Sequence, residues 1–120
     1  MHNFDDNTSE IISKAIEVHK NLGPGFQEVI YQRALEFEML SYNMDFSREV
    51  YIKVFYKGNK VGTRCVDFMV DQCLVEIKAK AALEDIDFIQ TLSYLRASGN
   101  KVALLLNFGA RKLEIKRIVN

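Results

Sequence analysis

Cysteine is nearly absent. Cys65 and Cys73 are the only two in 120 residues, too few for a disulfide framework. Neither has His or Cys neighbours at zinc-ligand spacing, so both read as small core or sheet residues. Proline occurs once, inside Gly23-Pro24-Gly25, which makes that tripeptide the strongest breaker in the chain. No apolar run approaches the roughly 20 residues of a membrane span, so no membrane role is expected. Met1 to Ser9 is polar and acidic, unlike a secretory leader. A reducing cytoplasm is the expected location. Excess charge is missing too: 16 basic residues balance 16 acidic ones. That argues against a protein that coats nucleic acid through a uniformly basic surface, while leaving room for a local basic groove.

What is present fits one domain over residues 1–120, with residues 1–8 expected to be disordered. A core of this size hides only about two-thirds of the unfolded surface, which leaves room for a homodimer. Asn7, Thr8 and Ser9 are N-cap candidates for a helix from Glu10 to Leu22, with Ile11, Ala15, Val18 and Leu22 as its stripe, widened by Ile12 and Ile16. A second helix is expected from Gln27 to Ser41, burying Ile30, Ala34 and Phe37. Strands follow at Phe46–Tyr56, Val61–Val70 and Cys73–Lys80, separated by Lys57-Gly58-Asn59-Lys60 and by Asp71-Gln72. Glu84 to Ser98 reads as a helix with Ile86, Ile89, Leu92 and Leu95 inside, stopped by Gly99-Asn100. Val102 to Phe108 is apolar on both faces, as a central strand is, and Lys112 to Val119 alternates as an edge. The order is ααβββαββ: an α/β fold with a mixed central sheet flanked by helices. The helix between the third and fourth strands makes a crossover joining parallel neighbours.

The chemistry concentrates around the second tight turn. If Asp71-Gln72 is a two-residue loop, Val70 faces Cys73, Phe68 faces Val75, and Asp67 falls opposite Glu76. Opposed residues share a sheet face with Cβ atoms about 4.5–5.5 Å apart. Lys78, two positions on, shares that face. Two carboxylates so close need a proton or a cation between them. A hard divalent ion such as Mg²⁺ suits oxygen donors. Lys78 has the wrong charge to bind that ion and the right one to steady an attacking hydroxide or a developing phosphorane. The plainer reading is a solvated hairpin face on which Lys78 pairs with either acid.

Asp67 followed by Glu76-Ile77-Lys78 resembles the Asp…Glu-x-Lys signature of the PD-(D/E)XK nuclease superfamily. Gly25-Phe26-Gln27-Glu28-Val29-Ile30-Tyr31 resembles the GxxExxY signature of a small bacterial and archaeal family within it. The flanking Val18-His19, Leu22-Gly23-Pro24-Gly25, Ala34-Leu35, Gln90-to-Leu95 and Leu106-Asn107-Phe108-Gly109 agree in order, from about Ile11 to Val119. Val66 stands where the superfamily's name has proline. The resemblance implies a restriction-endonuclease-like fold and a Mg²⁺- or Mn²⁺-dependent nuclease acting on nucleic acid, DNA in the first instance. Its metal ligands would be Asp67, Glu76 and the Ile77 carbonyl, with Glu28 as an extra ligand or metal-water contact and Lys78 assisting the nucleophilic water. Gln90 and Tyr94, four apart on one helix face, resemble a glutamine–tyrosine substrate motif of related nucleases.

Further substrate contacts are expected from His19, Tyr31 and Lys80, and phosphate contacts from Arg33 and Arg48. A histidine bonded to backbone and a core tyrosine with a surface hydroxyl are the plain alternatives for the first two. Arg111, Lys112, Lys116 and Arg117 read as an edge strand kept charged against sheet-to-sheet pairing. The competing function is a non-catalytic module that binds nucleic acid or protein on a nuclease scaffold. Carboxylates kept together speak against it.

Overall fold

The structure, a computed structural model, describes residues 8–120. The expected disordered segment lies outside the described residues except for Thr8, which is the first residue of helix α1 and fully buried. The N-cap candidate Asn7 also lies outside them.

Eight elements follow in the expected order: α1 (Thr8–Leu22), α2 (Glu28–Ser41), β1 (Ser47–Tyr56), β2 (Asn59–Val70), β3 (Cys73–Lys78), α3 (Asp85–Ser98), β4 (Val102–Asn107) and β5 (Glu114–Val119). The sheet runs β1-β2-β3-β4-β5, antiparallel except for the parallel pair β3 and β4. All six residues of β4 are buried, because helices cover both faces of it. Val102, Leu104 and Leu106 pack with Ile11, Ala15 and Val18 of α1 and Tyr31, Leu35 and Met39 of α2. Ala103 and Leu105 pack with Leu95 of α3 on the opposite face. Each fully buried leucine of this strand contributes about 1.5–3 kcal/mol of transfer free energy. Among the described residues, no helix is long and apolar enough to cross a membrane.

Local chemistry sets the element ends. Glu84 caps α3 by accepting from the Asp87 backbone while the Asp87 side chain reaches back to the Glu84 N–H, and Gly99 closes the helix at φ 75°. This reciprocal arrangement satisfies two donors that the first turn leaves without helical partners. Asp71 takes φ 53° at the tight β2–β3 turn.

Two helix faces differ from the expected ones. On α2 the buried residues are Tyr31, Gln32, Leu35 and Met39, whereas Ile30 and Phe37 are exposed. On α3 the inner residues are Asp87, Thr91 and Leu95, whereas Ile86 and Ile89 face solvent. Ile16 of α1 is exposed as well. In both later helices a polar residue bonded to a side chain outside its helix holds an inward position, Gln32 to Asp67 and Asp87 to Lys80, which displaces the apolar stripe visible in the sequence. β3 ends at Lys78 instead of Lys80, because Ala79 and Lys80 leave the ladder. The amide and carbonyl of Lys80 bond instead to the Asn107 side chain.

One irregularity positions the site. Arg48 pairs with Phe68 and Val50 with Val66, leaving Glu49 and Asp67 between these rungs, with Glu49 at φ 55°. Phe68 sits in the core under α1 and α2, while Val66 and Ile52 sit in the core under α3. Residues two apart normally share a face. The left-handed step at Glu49 therefore reverses the faces of both strands. Beyond it, β1 and β2 continue to Tyr56 and Asn59 as a two-stranded ribbon. The molecule is elongated, at 45 × 30 × 25 Å.

Candidate active site

The expected register holds for three rungs: Val70 with Cys73, Met69 with Leu74, Phe68 with Val75. It stops there. Asp67 and Glu76 meet without forming a backbone rung, since the face reversal carries β2 away from β3. Side chains take over the pairing. The Asp67 N–H donates to Glu76 Oε1 at 3.1 Å, and the Ile77 N–H donates to Asp67 Oδ2 at 2.8 Å. A broken ladder leaves backbone donors to be satisfied, and here the two acids satisfy them.

Burial makes this costly. Glu76 is only 6% exposed. Burial, then the charge of Asp67, pushes the Glu76 carboxyl up to about 8, against the pull of the Asp67 N–H and Lys78. Burial also raises Asp67, opposed by the Ile77 N–H and by Lys78, and assisted by the charges of Glu28 and Glu49. Desolvation and like charge act in the same direction on both groups. Glu28, the first residue of α2, is exposed and close enough for its charge to be felt by both acids. Lys78 is half-buried and donates to Gln90 Oε1 at 3.4 Å. Asp67, Glu76, Lys78, Glu28 and Gln90 therefore converge. Tyr94, one turn after Gln90, packs against the cluster of Ile52, Val66 and Leu95.

A family model for the PD-(D/E)XK nuclease superfamily matches residues 5–118. The chain belongs to this superfamily. No curated protein and no solved structure matches it. The mixed five-stranded sheet flanked by helices is the restriction-endonuclease-like arrangement of that superfamily. Membership makes nuclease activity and a nucleic-acid substrate the functional frame, and superfamily nucleases generally use divalent metal ions. Among the described residues, no group of three or more His, Cys, Asp or Glu side chains is gathered at metal-binding distance. The donors do fit a hard cation: a buried and a half-buried carboxylate, both with raised pKa values, each oxygen keeping a second lone pair after the hydrogen bonds above.

Other expected contacts lie elsewhere in this superfamily scaffold. Tyr31 is fully buried; its hydroxyl donates to the Gly23 carbonyl at 2.6 Å and accepts from the Phe26 N–H at 3.1 Å. Its ring stacks on Phe108 with centroids 4.9 Å apart. It fastens the Gly-Pro-Gly loop ahead of Glu28 and does not face the acids. Lys80 is bound to Glu84 at 2.6 Å and Asp87 at 2.8 Å, so it anchors α3. Arg48 holds Glu36 and the Gln32 carbonyl oxygen. Arg33 is exposed on the outward side of α2 with Phe37. His19 bonds through Nε2 to the Ala110 carbonyl at 2.9 Å. It lines a separate groove of about 450 Å³ with Lys20, Arg111 and Lys112.

Gln32 is the residue that sequence reasoning missed. It is buried and donates to Asp67 Oδ1 at 3.0 Å, with its own carbonyl fixed by Arg48 at 2.9 Å. Its signal was its place one helical turn after Glu28. Glu49, which raises Asp67 by its charge, carries no such signal.

Proposed function

We propose that this chain is a GxxExxY-type nuclease that hydrolyses phosphodiester bonds in DNA with Mg²⁺ or Mn²⁺. The observation that carries the reading is the meeting of Asp67 and Glu76 where the ladder breaks, both held above the usual carboxylate range by burial. A buried pair of acids is relieved by a proton or by a cation. Asp67, Glu76, Glu28 and the Ile77 carbonyl would hold the ion. When bound there, it supplies Lewis acidity toward a phosphoryl oxygen and lowers the pKa of water. The chain's own residues do the rest. Gln32 and the Ile77 N–H orient the Asp67 carboxylate. Gln90 aims the Lys78 ammonium, which stabilises negative charge building on the phosphate. Gln90 and Tyr94 border the path of the substrate strand.

The test is cleavage of a panel of single- and double-stranded DNA and RNA with Mg²⁺ or Mn²⁺. The expected result is DNA cutting that requires metal and disappears in Asp67→Ala and Lys78→Ala. A wild-type protein that cuts no member of the panel sinks the proposal. One observation favours the competing binding module: both Asp67 oxygens already accept hydrogen bonds. Calorimetric titration with Mn²⁺ separates the readings, since only a competent site loses its binding in Asp67→Ala and Glu76→Ala.

A further inference from the structure

The β1–β2 ribbon carries a surface that the hydrolytic site does not use. No acidic residue lies between Glu49 and Asp67, while Lys53, Lys57, Lys60 and Arg64 fall inside that stretch. In a chain of zero net charge this is a strong local excess. None of the four enters an ion pair among the described residues. Three aromatic rings stand beside them in solvent: Tyr51 at 71% exposure, Phe55 at 59% and Tyr56 at 62%. Lys57 Nζ lies 5.5 Å from the Tyr56 ring centroid.

The pleat sorts these residues. Ile52 turns into the core under α3, so Tyr51 and Lys53 share the opposite, uncovered face, and Phe55 stands exposed just past a register shift after Val54. Their partners on β2 are Cys65, Thr63 and Lys60. This row starts at the hydrolytic site, because Cys65 is two residues from Asp67. From there the row runs outward, Tyr51 and Phe55 lying about 13 Å apart along the strand with Lys53 between them.

We infer that this ribbon face grips single-stranded nucleic acid leading away from the hydrolytic site, with bases stacked on Tyr51 and Phe55 and phosphates on Lys53, Lys57 and Lys60. Alternation of flat rings and cations is the chemistry that binds an unpaired strand: every base offers a stacking face, and the backbone needs counter-charge. A duplex hides its base faces and would leave both rings without partners. The inference rests on the proposed nuclease reading for its substrate.

The experiment uses full-length protein in EDTA, with fluorescence anisotropy of a labelled single-stranded DNA 20-mer and its duplex across a salt series. Lys53→Ala/Lys57→Ala/Lys60→Ala is expected to flatten the salt slope by about two, since each phosphate contact on a single strand contributes about 0.7. Tyr51→Ala/Phe55→Ala is expected to weaken binding by about tenfold per ring at an unchanged slope. Tyr51→Phe/Phe55→Tyr restores it. Arg96→Ala/Lys101→Ala, removing two cations at the far end of the sheet, should leave binding near wild type. All substituted side chains are exposed, and thermal melts confirm that each variant folds.

If the ribbon variants bind like wild type, or lose no more than the far-end control, the grip is overturned. Equally tight duplex binding with the same dependence on the two rings overturns the single-strand assignment. Cleavage is scored separately with Mg²⁺. A wild type that cuts while the ribbon variants bind normally removes the grip and keeps the nuclease. A wild type that never cuts but loses strand binding in the ribbon variants does the reverse.

Discussion

Two buried acid clusters sit at the same end of the sheet, and they are built on opposite principles. Asp87 is buried, and burial alone would raise it. Hydrogen bonds from Lys80 and from the Glu84 N–H outweigh that effect, so its carboxyl lies below the usual range. The same pairing, first with Asp87 and then with Glu84, lifts Lys80. Asp67 and Glu76 receive two backbone N–H groups, one glutamine and a lysine at a distance, and both stay raised. One cluster gives its buried acid a cation in direct contact and fastens α3. The other has a deficit of positive charge that its own residues do not fill. On the proposed nuclease reading, the contrast separates an acid kept for structure from acids kept for chemistry.

The comparison can be broken most sharply through activity. Lys78→Ala or Asp67→Ala should lower metal-dependent cleavage by about 10²–10³-fold or more, the scale of losing one electrostatic stabiliser, while Asp87→Asn should leave the rate per folded molecule nearly unchanged. Single-turnover assays on the three variants decide this.

The next effect is on stability against pH, without metal. Folded Glu76 keeps its proton up to about pH 8, whereas the unfolded chain releases it near the ordinary glutamate value of 4.5. The folded state therefore binds more protons across that window, so stability falls as pH rises through it. Below it the contribution is fully present. Denaturant melts of wild type at pH 5 and pH 8 should differ by about 2–4 kcal/mol from this group, and Glu76→Gln should flatten the difference. A wild type equally stable at both pH values would mean that the pair is already compensated.

Asp87→Ala should cost about 1–3 kcal/mol at neutral pH, by leaving the Glu84 N–H without its acceptor and Lys80 with Glu84 as its remaining carboxylate. The smallest expected change is at Gln32, which orients an acid without forming part of the pair. Gln32→Ala should weaken Mn²⁺ binding about tenfold with little change in the pH dependence, measured by titration calorimetry.

Much of this was legible in the residues themselves. The two-residue turn at Asp71-Gln72 set the β2–β3 register, and Gly99 with Asn100 marked the end of α3. The two acids were expected to meet as a regular pair across the strands. They meet because the ladder fails, and a left-handed glutamate at position 49 has no sequence signature. The misjudged faces of α2 and α3 share a cause. Gln32 and Asp87 are polar yet inward, because each has a partner outside its own helix, Asp67 in one case and Lys80 in the other. Periodicity weighs a residue by its own polarity and is blind to such partners. The ion pairs of Lys80 were hidden for the same reason, its two carboxylates lying four and seven residues ahead at the start of α3.

The gap in the ladder at Asp67 has a mechanical consequence. The ribbon carrying Tyr51 and Phe55 is tied to the central sheet at that point by two carboxylates rather than by backbone rungs. Whatever draws on those carboxylates also tugs on the joint between ribbon and sheet. A cation drawn to those carboxylates is therefore expected to change the set of the ribbon as well, and slowed amide exchange at Asp67 and Ile77 on adding Mn²⁺ would be its trace.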